Sequence, residues 1–139
     1  MNEIKPRILI VDDDDALRSI IARALSRQGY DVVEASDGRK GLAYVDADGA
    51  DLVITDILMP VMEGIEFIDH LRREHPTVPV IAMSGGGMLL RSDCLRMARL
   101  MGARGTLQKP FDVGQLVTMV TNVLDSPTLV RGLVSSDGR

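Results

Sequence analysis

The sequence predicts an α/β fold, a doubly wound five-stranded parallel sheet with five helices covering its two faces. Three observations carry that prediction. Short runs rich in β-branched residues alternate five times with segments of helical periodicity. The β runs are continuously apolar rather than alternating, the mark of strands buried on both faces. Strand and helix also alternate along the chain, so successive strands require right-handed crossover connections.

The elements follow in order. "RILIV" at 7–11 reads as a buried strand. Leu17, Ile20, Ile21, Ala24 and Leu25 then recur at helical spacing, and Gly29 closes that helix. "YDVVEA" at 30–35 is the second strand, and "DGRKGLAYVDA" at 37–47 is a short helix weakened by Gly41. "DLVITD" at 51–56 is the third strand. Pro60 and Gly64 mark a loop, and a helix over 65–74 is stopped by Pro76. "VPVIAMS" at 78–84 is the fourth strand. After three glycines comes a helix with Cys94, Met97, Ala98 and Met101 on one face. "GTLQ" at 105–108 is the fifth strand. The last helix turns Val113, Leu116, Val117, Val120 and Leu124 inward and is bounded by Pro127.

Composition narrows the class of function. The 139 residues suit one compact domain, and 45% hydrophobic with 26% charged residues is a globular balance. A net charge of -4 offers no nucleic-acid surface, and 3% aromatics with no Trp offers no base-stacking platform. No apolar run reaches the roughly 18 residues of a membrane span, and the first residues lack the apolar core of a signal peptide. The lone Cys94 forms no internal disulfide, which predicts a reducing cytoplasm. His70 and His75 stand five apart and do not share a helical face, so they are not read as metal ligands. Met97 and Met101 read as core, and Cys94 as a small buried residue.

Open parallel sheets bind ligands beyond the carboxyl ends of their strands. Those ends carry Asp12 to Asp15, Asp56, Ser84 and Lys109. Consecutive carboxylates repel and are costly to desolvate, but a hard cation such as Mg²⁺ neutralises them with oxygen ligands. Each member of the run reads equally as a metal ligand or a helix cap, and for the run as a whole both hold. Carboxylates converging on one site also predict at least one raised pKa. Asp56, flanked by apolar sequence, is either a turn aspartate or a nucleophile towards phosphorus. Lys109 and Ser84 would then supply a positive charge and a hydrogen bond to the phosphoryl group.

"ILIVDDD" (8–14), "VITDILMPVMEG" (53–64), "VIAMSG" (80–85) and "QKPF" (108–111) occur in order, one at each of four strand ends. Together they resemble the receiver domain of two-component response regulators, over roughly residues 6 to 125. The resemblance implies a CheY-like sheet of strand order 2-1-3-4-5. It implies a receiver domain at 1–125, a tail at 126–139 and no output domain, as in stand-alone, chemotaxis-type regulators and phosphorelay shuttles. It implies Mg²⁺ organised by Asp12 and Asp13, with Asp13 the direct ligand, together with Asp56 and the backbone carbonyl of Leu58. Asp56 becomes the phosphoacceptor, Ser84 and Lys109 bind the phosphoryl group, and the Lys109–Pro110 bond is cis. The implied donor is a sensor histidine kinase or histidine phosphotransfer protein, and the implied output is binding to a downstream protein. Such a chain catalyses only its own phosphorylation and dephosphorylation and is not otherwise an enzyme.

Two departures from the pattern stand out. Thr106 occupies the place of an aromatic switch residue, and the stretch 84–103 is longer and richer in glycine than usual. A different class is also weighed. "DDDDAL" reads as the D-x-D-x-x-L of haloacid-dehalogenase-type phosphohydrolases, with Asp12 as nucleophile and Asp14 as acid/base. Against it, Ala16 stands where Thr or Val is usual and no later strand ends in an acidic pair. A pseudo-receiver, which keeps the fold without phosphorylation, would have lost an acidic or lysine residue, and none is lost here.

Overall fold

A computed structural model describes residues 5–57, 64–85 and 96–125. Five strands form one parallel sheet: β1 (Arg7–Val11), β2 (Asp31–Ala35), β3 (Leu52–Asp56), β4 (Val80–Ser84) and β5 (Gly105–Gln108). Their order is β2-β1-β3-β4-β5, as expected. The helices are α1 (Asp15–Arg27), α2 (Gly38–Asp48), α3 (Gly64–Glu74), α4 (described at 96–100) and α5 (Val113–Leu124). Among the described residues no helix is long and apolar enough to cross a membrane.

The continuous apolar runs are explained by two cores, one on each face of the sheet. Successive side chains of a strand point to opposite faces. Ile8, Ile10, Leu52, Ile54, Ile81 and Met83 therefore pack with Ile21, Leu25, Leu116 and Val120 of α1 and α5. Leu9, Val11, Val53, Val80 and Ala82 pack on the other face with Val45, Phe67, Ile68, Leu71 and Ala98 of α2, α3 and α4. Every residue of β3 and β4 is buried, whereas β2, at one edge, is only half-covered. Strand order reverses between β1 and β3, so the switch point falls between the ends of those two strands.

Helix starts follow the aspartates. Asp14 caps α1 by accepting from the Leu17 N–H, and Asp37 caps α2 by accepting from the Lys40 N–H. Asp112 and Gln115 form a capping box at α5. Gly29 follows α1 with φ +97°, a conformation that favours glycine.

Two helical assignments need correction. Ile20 is 53% exposed and Met97 50% exposed, although both were expected on inward faces. In α1 the buried stripe is narrow, with Ile21 and Leu25 buried and Leu17 half-covered, and Ile20 falls beside it. In α4, Ala98 takes the buried position and Met101 packs beside it, which turns Met97 outward. Cys94, the glycines at 86 and 87, Leu58 and the tail at 126–139 lie outside the described residues.

Gly41 weakens α2 by propensity but fits its surroundings. A Cβ there would stand 2.9 Å from Val11 Cγ2 and 3.2 Å from Phe67 Cζ. Gly41→Ala gains about 1 kcal/mol of helix propensity, but overpacking costs about 1–3 kcal/mol. A net loss of about 1 kcal/mol is expected, seen as a lower urea midpoint at unchanged slope. A raised midpoint would show that Val11 and Phe67 yield freely.

Candidate functional site

The carboxyl ends of four strands deliver the site. Asp12 follows β1 directly, Asp56 ends β3, Ser84 ends β4 and Lys109 follows β5. Parallel pairing aligns these ends: Val11 lies opposite Thr55, Asp56 opposite Met83, and Ser84 opposite Gln108. The Lys109 N–H donates to the Ser84 carbonyl at 2.8 Å, which fixes where the lysine leaves the sheet. The Lys109–Pro110 peptide is cis.

Lys109 joins the acids. Its Nζ lies 2.8 Å from Asp12 Oδ2 and 3.4 Å from Asp56 Oδ2. Asp12 is fully buried, and its other oxygen accepts from the Asp14 N–H at 2.9 Å. Asp13 is exposed, yet one carboxylate oxygen from each of Asp12, Asp13 and Asp56 lies within 4.8 Å of the others. These three acids form a group able to hold a metal ion. All are hard oxygen donors, the kind that Mg²⁺ and Ca²⁺ take.

The crowding falls on Asp56. Burial, opposed by Lys109 and reinforced by Asp12 and Asp13, pushes its carboxyl up from 3.8 to about 6. Burial also pulls the Lys109 ammonium down, but Asp12 and Asp56 outweigh it and the net direction is up. Asp56 Oδ1 and Ser84 Oγ are buried without a hydrogen-bond partner. Such groups typically cost about 1–3 kcal/mol each, so two at the ends of the neighbouring strands β3 and β4 mark an edge suited to a polar ligand.

Two glycines let this edge close. A Cβ on Gly64 would meet the Asp56 carbonyl oxygen and Ile57 Cα, and the Gly64 N–H donates to the Ile57 carbonyl at 2.6 Å. A Cβ on Gly85 would sit 2.8 Å from Lys109 Cδ. Glycine in "MEG" and "MSG" is a visible sign of close approach, but what approaches is not.

Sequence reasoning missed Arg18. Its Nη1 donates to the Asp12 carbonyl oxygen at 2.5 Å, Nη2 to Asp15 at 2.7 Å and Nε to Glu34 at 3.0 Å. The i,i+3 spacing from Asp15 could have suggested one of these contacts; the Asp12 contact depends on how α1 folds back on the end of β1, and the Glu34 contact on β2 lying beside β1. Of the histidines, which the sequence does not read as metal ligands, His75 places its Nε2 2.7 Å from Asp46 of α2. Thr106 is half-buried, and its hydroxyl accepts from Arg99 Nη1 at 3.2 Å.

Comparison with known proteins agrees with this fold. The family profile described as the response regulator receiver domain matches residues 8–121. The transcriptional regulatory protein CpxR of Klebsiella pneumoniae is 38% identical over 119 residues, covering 85% of this chain and 49% of that protein. The DNA-binding transcriptional regulator NtrC of Rhizobium meliloti is 33% identical over 120 residues, covering 86% of this chain and 24% of that protein. The chain thus spans half or less of these curated relatives. A CheY-like receiver domain protein from Methanospirillum hungatei superposes with a TM-score of 0.81 at 30% identity, covering 88% of this chain and 95% of that one. The receiver domain of NtrX from Brucella abortus gives 0.79 at 29% identity, covering 86% and 98%.

The raised Asp56 carboxyl carries a sign for stability. Between pH 3.8 and about 6 the folded protein binds more protons than the unfolded chain, so stability falls as pH rises through that window. The displacement corresponds to at most about 3 kcal/mol. Asp56→Asn is therefore expected to stabilise the metal-free protein at neutral pH by about 1–2 kcal/mol, since it also gives up the attraction to Lys109. Urea melts of both proteins across the window check this, and a gain that does not shrink towards pH 4 would contradict it.

Proposed function

The chain belongs to the response regulator receiver domain family, and we propose that it accepts a phosphoryl group on Asp56 in a Mg²⁺-dependent reaction. The observation that carries this reading is the pair of unpartnered buried oxygens, Asp56 Oδ1 and Ser84 Oγ, at the ends of the neighbouring strands β3 and β4, with the Lys109 ammonium 3.4 Å from the other Asp56 oxygen. A phosphoryl group joined to Asp56 Oδ1 would satisfy both, through the new bond and through a hydrogen bond donated by the Ser84 hydroxyl.

The chemistry is in-line displacement. Asp56 Oδ1 attacks phosphorus, the P–N bond of a phosphohistidine breaks, and the imidazole leaves with the bonding pair. The donor is a sensor histidine kinase or a histidine phosphotransfer protein. Asp13 and Asp56 would hold Mg²⁺ directly and Asp12 would support it, while Leu58, whose carbonyl is expected as a further ligand, lies outside the described residues. The metal, when bound, supplies positive charge that offsets the carboxylates and the phosphoryl oxygens. Lys109 would compensate further phosphoryl charge while staying anchored to Asp12.

On this reading the chain catalyses only its own phosphorylation and dephosphorylation. Its output is phosphorylation-dependent binding to a downstream protein, with no direct nucleic-acid contact by this domain. The lone cysteine and the phosphohistidine donor both suit the cytoplasm. The phosphohydrolase reading loses support from the same geometry. Asp12, its nucleophile, is fully buried with both oxygens engaged, and Asp14, its acid/base, caps α1.

Incubation with acetyl phosphate and Mg²⁺ is expected to add one phosphoryl group in intact mass, and Asp56→Asn to add none. Ser84→Ala and Lys109→Ala should slow or abolish the gain. Modification that persists in Asp56→Asn and disappears in Asp12→Asn would move the nucleophile to Asp12 and restore the rival reading.

A further inference from the structure

We infer that Arg18 is a positioning residue for the cation site, an inference that rests on the metal reading of Asp12, Asp13 and Asp56. Arg18 projects from α1 with 14% of its side chain exposed, and all three of its guanidinium nitrogens donate. The contact that matters runs from Nη1 to the Asp12 carbonyl oxygen. That oxygen belongs to the planar peptide linking Asp12 to Asp13, so holding it fixes the backbone from which the Asp13 side chain extends.

Asp13 needs such help more than its neighbours do. Asp12 is anchored by Lys109 and the Asp14 N–H, Asp14 by the Leu17 N–H, and Asp15 by Arg18. Among the described residues no donor holds the exposed Asp13 carboxylate, although it completes the acidic group. Its place is therefore set by the backbone, and the backbone is clamped by Arg18. The other two contacts orient the clamp. Asp15 on α1 and Glu34 on β2 hold the planar fork on two sides, so that Nη1 points at the carbonyl. The same pairing occupies two exposed carboxylates that would otherwise attract the cation away from the buried acids.

Charge and position predict opposite signs, which makes the idea testable. Coulomb attraction alone says that removing a nearby positive charge strengthens cation binding. Positioning says that removal weakens it, because ligands losing their support typically cost tenfold or more in affinity. Lysine separates the two again, since it keeps the charge but not the fork that spans three acceptors.

The test is calorimetric titration of MgCl₂ into the metal-free protein, its Arg18→Ala variant and its Arg18→Lys variant. We expect wild type to bind and both variants to bind about tenfold more weakly, with cooperative thermal unfolding retained. Equal or tighter binding by Arg18→Ala, or wild-type affinity in Arg18→Lys, would overturn the inference while leaving the metal reading intact. If Arg18→Ala fails to unfold cooperatively, Arg18→Lys decides the matter. Absence of binding by wild type would overturn the metal reading and this inference with it.

Discussion

The Lys109 ammonium is the charge on which the rest of this edge depends. It reaches from the end of β5 across β4 and β3 to a carboxylate beyond β1, 2.8 Å from Asp12 and 3.4 Å from Asp56. Both acids are nearly or wholly buried. A buried pair offsets its desolvation only when geometry and further hydrogen bonds are good, and Asp12 meets that condition through the Asp14 N–H. Asp56 does not. One of its oxygens stays unpartnered, and its carboxyl remains pushed up despite the ammonium. One cation thus serves two anions, fully for one and partly for the other, and the partly served anion has the higher energy. That imbalance gives the site a reason to take up further positive charge.

The fold turns this local imbalance into a defined place. Parallel strands buried on both faces leave little freedom of register, because a shift by one residue would exchange the two cores. The strand ends are therefore fixed relative to one another, and so are the residues that leave them. Gly64 and Gly85 let backbone and lysine approach where a side chain would block them. Arg18 ties the chain after β1 to α1 through the Asp12 carbonyl.

Much of this was legible in the sequence because it is local. An apolar run ending in a polar or charged residue marks a strand and its chemically distinct end together, which makes Asp12, Asp13, Asp56, Ser84 and Lys109 legible as candidates, whereas the strand order is legible only through the resemblance to receiver domains. Helix faces were less legible. Leu17 and Ile20 share a helical spacing as good as that of Leu17 and Ile21, and only the width of the contact with the sheet decides that Ile20 is exposed. Contacts between distant elements left no sequence mark. Arg18 to Glu34, and His75 to Asp46, follow from tertiary placement alone. Thr106 stands in the place of an aromatic switch residue. Its hydroxyl, bonded to Arg99, ties this small, half-buried residue to α4.

The central claim is that burial and neighbouring acids hold the Asp56 carboxylate at raised energy until a cation relieves it. Carboxyl-carbon NMR titration of Asp56, without and with saturating Mg²⁺, tests this most directly. The account predicts a midpoint near pH 6 in the metal-free protein and a clear fall when Mg²⁺ is present. An ordinary carboxylate midpoint without metal, or one that Mg²⁺ leaves unchanged, would contradict it.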